Sequence, residues 1–220
     1  MTSERIDQFA TISGLLSLIL FFIAWFIYGD GPTVADEPGK VHQFFVENYS
    51  SVIWSMFIQG LGTLAMILFM SILVMAVYNA RESALAVATA LSFAVALALG
   101  AAATIIRSGI AFISIGDVAP ETVTLIFHLG SVMDTCQNII SSGFFLAVAL
   151  AILRTGFLPR WWGWLSVLAG LWAVASTTAL NHEGFWSPDG AGFINLVFYI
   201  LWVGGTSLLM LKHPREHAAT

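Results

Sequence analysis

The chain has 220 residues, of which 58% are apolar and 10% charged, and it carries a formal net charge of −5. Its mean hydropathy is +0.87. A soluble domain is roughly 45–50% apolar and about 25% charged, so this composition excludes a water-soluble globule, a disordered chain and a coiled coil. It describes an all-α integral membrane protein. The acidic balance argues against nucleic acid as a partner, which needs a basic face. The single cysteine, Cys136, excludes an internal disulfide, a CxxC redox pair and a thiolate cluster. No phosphate-loop, dinucleotide, HExxH or GxSxG motif is present.

Apolar runs of about 18 residues or more read as bilayer-spanning helices, and six are expected in a single domain covering residues 1–220. The first runs from Phe9 to Tyr28. A signal peptide is the alternative there, since Thr33-Val34-Ala35 loosely resembles a cleavage site. The run is long for a signal core, however, and Glu4 and Asp7 interrupt the basic leader that such a peptide needs. After Pro38-Gly39, the apolar residues Val41, Phe44, Phe45 and Tyr49 recur at helical spacing, with Lys40, Gln43 and Glu47 on the other side. That pattern predicts a short interfacial helix lying on the outer leaflet, as an anchor or a lid.

The second run spans Val52 to Tyr78 and the third Ala84 to Ile115. In the third, Ala84, Ala88, Ser92, Ala96, Gly100, Thr104 and Ser108 recur every fourth residue, and Ala86, Ala90, Ala94, Ala98 and Ala102 form a second small row. Small residues let backbones approach closely inside a bilayer, so this helix is expected to be central and tightly packed. The short turn Asp117-Val118-Ala119-Pro120 makes the fourth run, Glu121 to Leu153, its antiparallel neighbour. At about 1.5 Å per residue both outrun a hydrocarbon core of about 30 Å, so the pair tilts, kinks or projects outward.

The fourth run carries His128, Ser131, Thr135, Asn138 and Ser142 at steps of three and four, with Asp134 and Ser141 beside them. Such a face must look toward protein or water. Counting back from the turn sets Arg107 level with Leu129, with His128 and Ser131 nearest and Asp134 one to two turns deeper but within reach. Arg107, His128, Ser131, Asp134 and Asn138 are therefore the candidate ligand-binding residues. A structural Arg107–Asp134 pair and an outward-snorkelling Arg107 are the bland alternatives. Gln59 and Asn195 are polar enough to join the site, but the sequence does not place them. His42, His128, His182 and Glu183 share no metal-ligand spacing, and a lone intramembrane histidine does not make a b-type haem site. No cofactor is indicated.

The fifth run spans Trp161 to Leu180 and the sixth Phe193 to Leu211. One set of loops carries Arg5, Arg81, Arg154, Arg160, Lys212 and Arg215. The alternate set carries Lys40 among Asp30, Asp36, Glu37, Glu47, Asp117, Glu121, Glu183 and Asp189. The excess of positive charge on one side puts both termini in the cytoplasm. Trp161, Trp162 and Trp164 are expected as headgroup anchors on that side, and Trp25, Tyr49, Trp54 and Trp186 on the other.

The string Arg154-Thr155-Gly156-Phe157-Leu158-Pro159-Arg160-Trp161-Trp162-Gly163-Trp164 resembles the RTG-x-LPRW-x-GW loop of a broad group of uncharacterised bacterial multi-helix membrane proteins. The resemblance extends to the six-helix layout and to an acidic residue early in the fourth helix, here Asp134. It implies a bacterial inner-membrane protein and assigns no reaction. Three functions fit these residues. The first is non-enzymatic binding of a small apolar or amphipathic molecule, lipid-like or pigment-like, between the third and fourth helices near the outer leaflet. The second is an accessory subunit of a larger membrane complex. The third is an enzyme using His128 and Asp134 as acid and base, which their spacing of six residues weakens by setting them far apart around one helix.

Overall fold

The computed structural model describes residues 3–179, 181 and 184–212. The expected runs all form helices: α1 (Ser3–Tyr28), α3 (Tyr49–Asn79), α4 (Ser83–Ser114), α5 (Pro120–Thr155), α6 (Arg160–Ser176) and α7 (Phe193–Lys212). A short α2 (Pro38–Glu47) lies in the α1–α3 connection, and a π-helical turn, Pro188–Gly192, leads into α7. No strand occurs among the described residues. Among the described residues four segments are long and apolar enough to cross a bilayer: Tyr49–Asn79, Ser83–Ser114, Pro120–Thr155 and Gly190–Lys212. The chain is an all-α membrane protein. α6 has 17 residues, or about 26 Å at 1.5 Å per residue.

The helix ends follow local chemistry. Pro38 and Pro120 open α2 and α5, where a missing N–H costs nothing. Gly156 closes α5 in the left-handed region (φ 69°) and donates its N–H to the Ile152 carbonyl at 2.8 Å. The fifth run stops short of its expected end at Leu180, which lies outside the described residues. After Ser176 the backbone tightens into turns with Thr177 N–H on Val174 O and Thr178 N–H on Ala175 O. The threonine hydroxyls bond back to Ala173 O and Ala175 O, an alternative to continued helix.

The six long helices close a ring in the order α1, α3, α4, α5, α6, α7 and back to α1. Their alternating direction gathers Arg81, Arg154, Arg160 and Lys212 at one end, and Asp30, Asp36, Glu37, Glu47, Asp117 and Glu121, with Lys40, at the other. The ring is filled toward its basic end by Phe69, Met70, Leu73, Phe144, Phe145 and Trp202. Two tryptophans knit α6 to α7 there. Trp202 Nε1 donates to Ser166 Oγ at 2.6 Å, and Trp162 Nε1 to Thr206 Oγ1 at 2.9 Å, with the Trp162 ring lying directly on Gly205. Trp162 is thus a core residue at 6% exposure rather than the headgroup anchor expected of it, whereas Trp161 and Trp164 are 58% and 62% exposed.

Two further expectations change. α4 is not central: 17% of its most apolar stretch is buried, against 44% for α3 and α5. Its small residues Ser92 and Gly100 do meet α5, at Gly143 and Gln137, and Ile106 meets the α5 glycine Gly130. The Ile106–Gly130 contact is the register counted from the turn. The opposite side of α4, with Leu91, Val95, Ile105 and Phe112, is exposed, because a small-residue ladder admits a close neighbour on one side only. α3 and α5 are the more buried members of the ring, and α5 packs on α2, α4 and α6.

α2 forms where the pattern predicted, but its apolar side does not lie on the lipid. Val41 and Phe45 are fully buried with Ile110, Ala111, Val123 and Phe127 of the α4–α5 hairpin. The hairpin needs that cover because α5 outruns α6 and α7. Asn195, at the start of α7, bonds Asn138 in the middle of α5, so the first half of α5 rises about 27 Å above that level at 1.5 Å per residue. Truncating a buried Phe costs about 3–5 kcal/mol. Phe45→Ala should therefore lower thermal stability and open the α1–α3 connection to protease, and an unchanged digestion pattern would show that α2 does not hold it down.

Candidate ligand-binding cavity

The acidic half of the ring is not filled. It leaves a half-open cavity of about 1250 Å³ lined by α1, α3, α4, α5 and α7, larger than the roughly 300–1,000 Å³ of ordinary small-molecule pockets. Met66, Phe93, Phe144 and Phe145 form an apolar floor, and Tyr28, Phe127 and the segment from Gly29 to Val34 line the acidic end. That segment is held by Asp36, which accepts the Thr33 N–H at 2.7 Å and pairs with Lys40. The Lys40 hydrogen bond, joined by the Thr33 N–H, holds the Asp36 carboxyl below its ordinary range. The tie is therefore complete at neutral pH and is lost as pH falls through that lowered value.

The polar side chains line one wall. Arg107 Nη2 of α4 forms an ion pair with Asp134 Oδ2 of α5, with the two side chains 22% and 36% exposed. Tyr28 lies close enough to both to feel their charges. Beside them Thr104 donates to Gln59 Oε1 at 3.3 Å, linking α3 to α4, and Asn195 Nδ2 donates to Asn138 Oδ1 at 2.8 Å, linking α7 to α5. The hydroxyls of Ser131 and Thr135 bond back to Phe127 O and Ser131 O of their own helix, the usual way such residues are satisfied in an apolar setting. Gln137 lines the cavity over Gly100, and neither its carboxamide nor the Tyr28 hydroxyl hydrogen-bonds another described residue.

Of the five residues expected from the sequence, Arg107, Ser131, Asp134 and Asn138 line this cavity. His128 does not. It is half-buried, with its ring 6.1 Å from that of Phe127. Six residues before Asp134, it sits about 120° away around α5, so it cannot act between Arg107 and Asp134, and the expected acid–base pair is not assembled. The cavity also reaches beyond the α4–α5 cleft, to α1, α3 and α7. Gln59 and Asn195 find their places in it. Tyr28, Gln137 and the 29–34 segment carry no sequence signal that separates them from ordinary helix ends and surface polar groups. Among the described residues no three His, Cys, Asp or Glu side chains converge as metal ligands; His182 and Glu183 lie outside those residues.

Comparison with protein-family models, curated proteins and solved structures finds no match for this chain.

Stranding one charge of a fully buried pair costs roughly 3–5 kcal/mol. Because this pair is partly open to the cavity, about 1–3 kcal/mol is expected. Arg107→Ala and Asp134→Ala should each lower the melting temperature in detergent, and the double variant should recover much of the loss, giving a clear coupling energy. Strictly additive losses would mean that the two charges act independently.

Proposed function

We propose that the protein is a non-enzymatic binder of an amphipathic molecule, lipid-like or pigment-like, held in the central cavity. The observation that carries this reading is one half-open cavity with a charged, amide-rich wall and an aromatic floor, which matches a molecule with a polar head and an apolar body. Among the described lining residues there is no nucleophile–base pair, and His128 is not one of them. Retention of a small molecule through purification in mild detergent, seen by native mass spectrometry and lost in an Asp134→Ala variant, is the expected result. Release of apo-protein alone under the mildest extraction would overturn it.

A second reading, an accessory subunit of a membrane complex, is favoured by the small residues of α4 that no helix of this chain covers. Ala84, Ala88, Ala94 and Ala98 are exposed, and such rows bring helices together in lipid. A stoichiometric protein partner in the same purification selects it.

The protein sits in this reading in a bacterial inner membrane, with α1 and α6 added to the four longer helices as spans and the basic end in the cytoplasm. Arginine and lysine placement supports that orientation, and the likeness of the Arg154–Trp164 string to bacterial membrane proteins supports the compartment. In a Cys136→Ala background, single cysteines at Ala35, Val118 and Ser187 should react with an impermeant thiol reagent added to intact cells, and cysteines at Ser83 and Thr155 should not. Outside labelling at Thr155 would reverse the orientation.

A further inference from the structure

The cavity wall restricts the chemistry of what it holds, and the helices around it restrict the route in. Its two facing charges, Arg107 and Asp134, neutralise each other, and the third charge in the lining, Asp30, is exposed at the acidic end. An anionic head would have to face Asp134 and Asp30. A cationic head would meet Arg107 with Asp134 already engaged. An uncharged head avoids both conflicts and has the smallest desolvation cost.

The unspent hydrogen-bonding capacity is of the matching kind. The Gln137 carboxamide and the Tyr28 hydroxyl line the cavity and form no hydrogen bond with the described residues. Each can both donate and accept, which suits a hydroxyl that does both and an ester carbonyl that accepts. Polar groups left unpaired in apolar surroundings are costly, so water or a ligand head must engage them.

The route in is lateral. α1 and α7 meet toward the basic end, where Gly14 lies against Ser207 and Leu18 against Gly204. Their other halves line the cavity instead, and Trp25 of α1 and Leu201 of α7 are both lining residues and about 60% exposed on the bundle surface. The seam between these helices therefore connects the cavity with the surrounding lipid.

Resting on the binding reading above, we infer that the ligand is a membrane lipid with an uncharged, hydroxyl-bearing head, the chemistry of a diacylglycerol or a long-chain alcohol. The head lies against Arg107, Asp134 and Gln137, the chain lies over Phe93, Phe144 and Phe145, and entry is from the bilayer between α1 and α7. A net hydrogen bond is worth about 1 kcal/mol, or several-fold to about tenfold in affinity.

The test uses the full chain in phosphatidylcholine nanodiscs and measures binding of radiolabelled dioleoylglycerol, dioleoylphosphatidylglycerol and water-soluble glycerol monoacetate. Saturable binding of dioleoylglycerol, at least several-fold tighter than the phosphatidylglycerol and weakened in both Gln137→Leu and Tyr28→Phe at unchanged melting temperature of the lipid-free protein, is the expected result. Tighter binding of the phosphatidylglycerol would overturn the uncharged head while leaving the cavity reading intact. Glycerol monoacetate binding as tightly as dioleoylglycerol would overturn lateral entry. If none of the three binds while another small molecule co-purifies, the lipid class is wrong. If nothing binds and nothing co-purifies, the binding reading falls as well.

Discussion

The Arg107–Asp134 ion pair is the interaction on which the site depends. Two opposite charges in the apolar middle of a helix bundle must meet, because each alone carries a large desolvation cost. Their meeting fixes the face that α4 and α5 turn toward each other and points that face into the ring. Once Asp134 looks inward, so do Ser131, Thr135 and Asn138, which lie within one turn of it on the same side of α5. The other helices answer in kind, α3 with Gln59 and α7 with Asn195. A polar-walled cavity follows from satisfying these few groups.

A mismatch of helix lengths shapes the rest. α5 has 36 residues, whereas α6 has 17 and α7 has 20, so the α4–α5 hairpin extends past the helices that would otherwise cover it. Apolar side chains at its tip, Ile110, Val123 and Phe127 among them, are covered by α2 instead. The same connection supplies the 29–34 segment that lines the cavity. The ring is therefore closed by large side chains at its basic end, where Trp162 lies on Gly205 and Trp202 packs on Phe144 and Phe145, and by a docked helix and loop at the other.

Much of this was legible in the sequence. Hydropathy gave the six long helices, because an apolar run of that length has few alternatives to a helix in lipid. Proline and glycine gave several ends, including Pro38, Pro120 and Gly156, because their backbone preferences act locally. The alternation of charged loops appears in the structure as two oppositely charged ends. The Arg107–Asp134 pair and the hairpin register were also within reach, since a short turn leaves two antiparallel helices one way to align.

Tertiary structure alone decided what each face meets. The period of Val41 and Phe45 says that one side of α2 is buried, but lipid and protein are equally apolar, so the pattern could not distinguish the bilayer surface from the α4–α5 tip. The same ambiguity made α4 look central and Trp162 look like a surface anchor: a ladder of small residues or an indole reports close contact or amphipathy, not the partner. The sequence named His128 as a site residue because counting back from the turn sets it beside Arg107; its six-residue spacing from Asp134, about 120° around the helix, was already legible, and only the packing of the bundle left it outside the cavity lining. The joining of Gln59, Gln137, Tyr28 and Asn195 in one cavity depends on how four helices cross, and crossing is set by long-range packing that no local run of residues encodes.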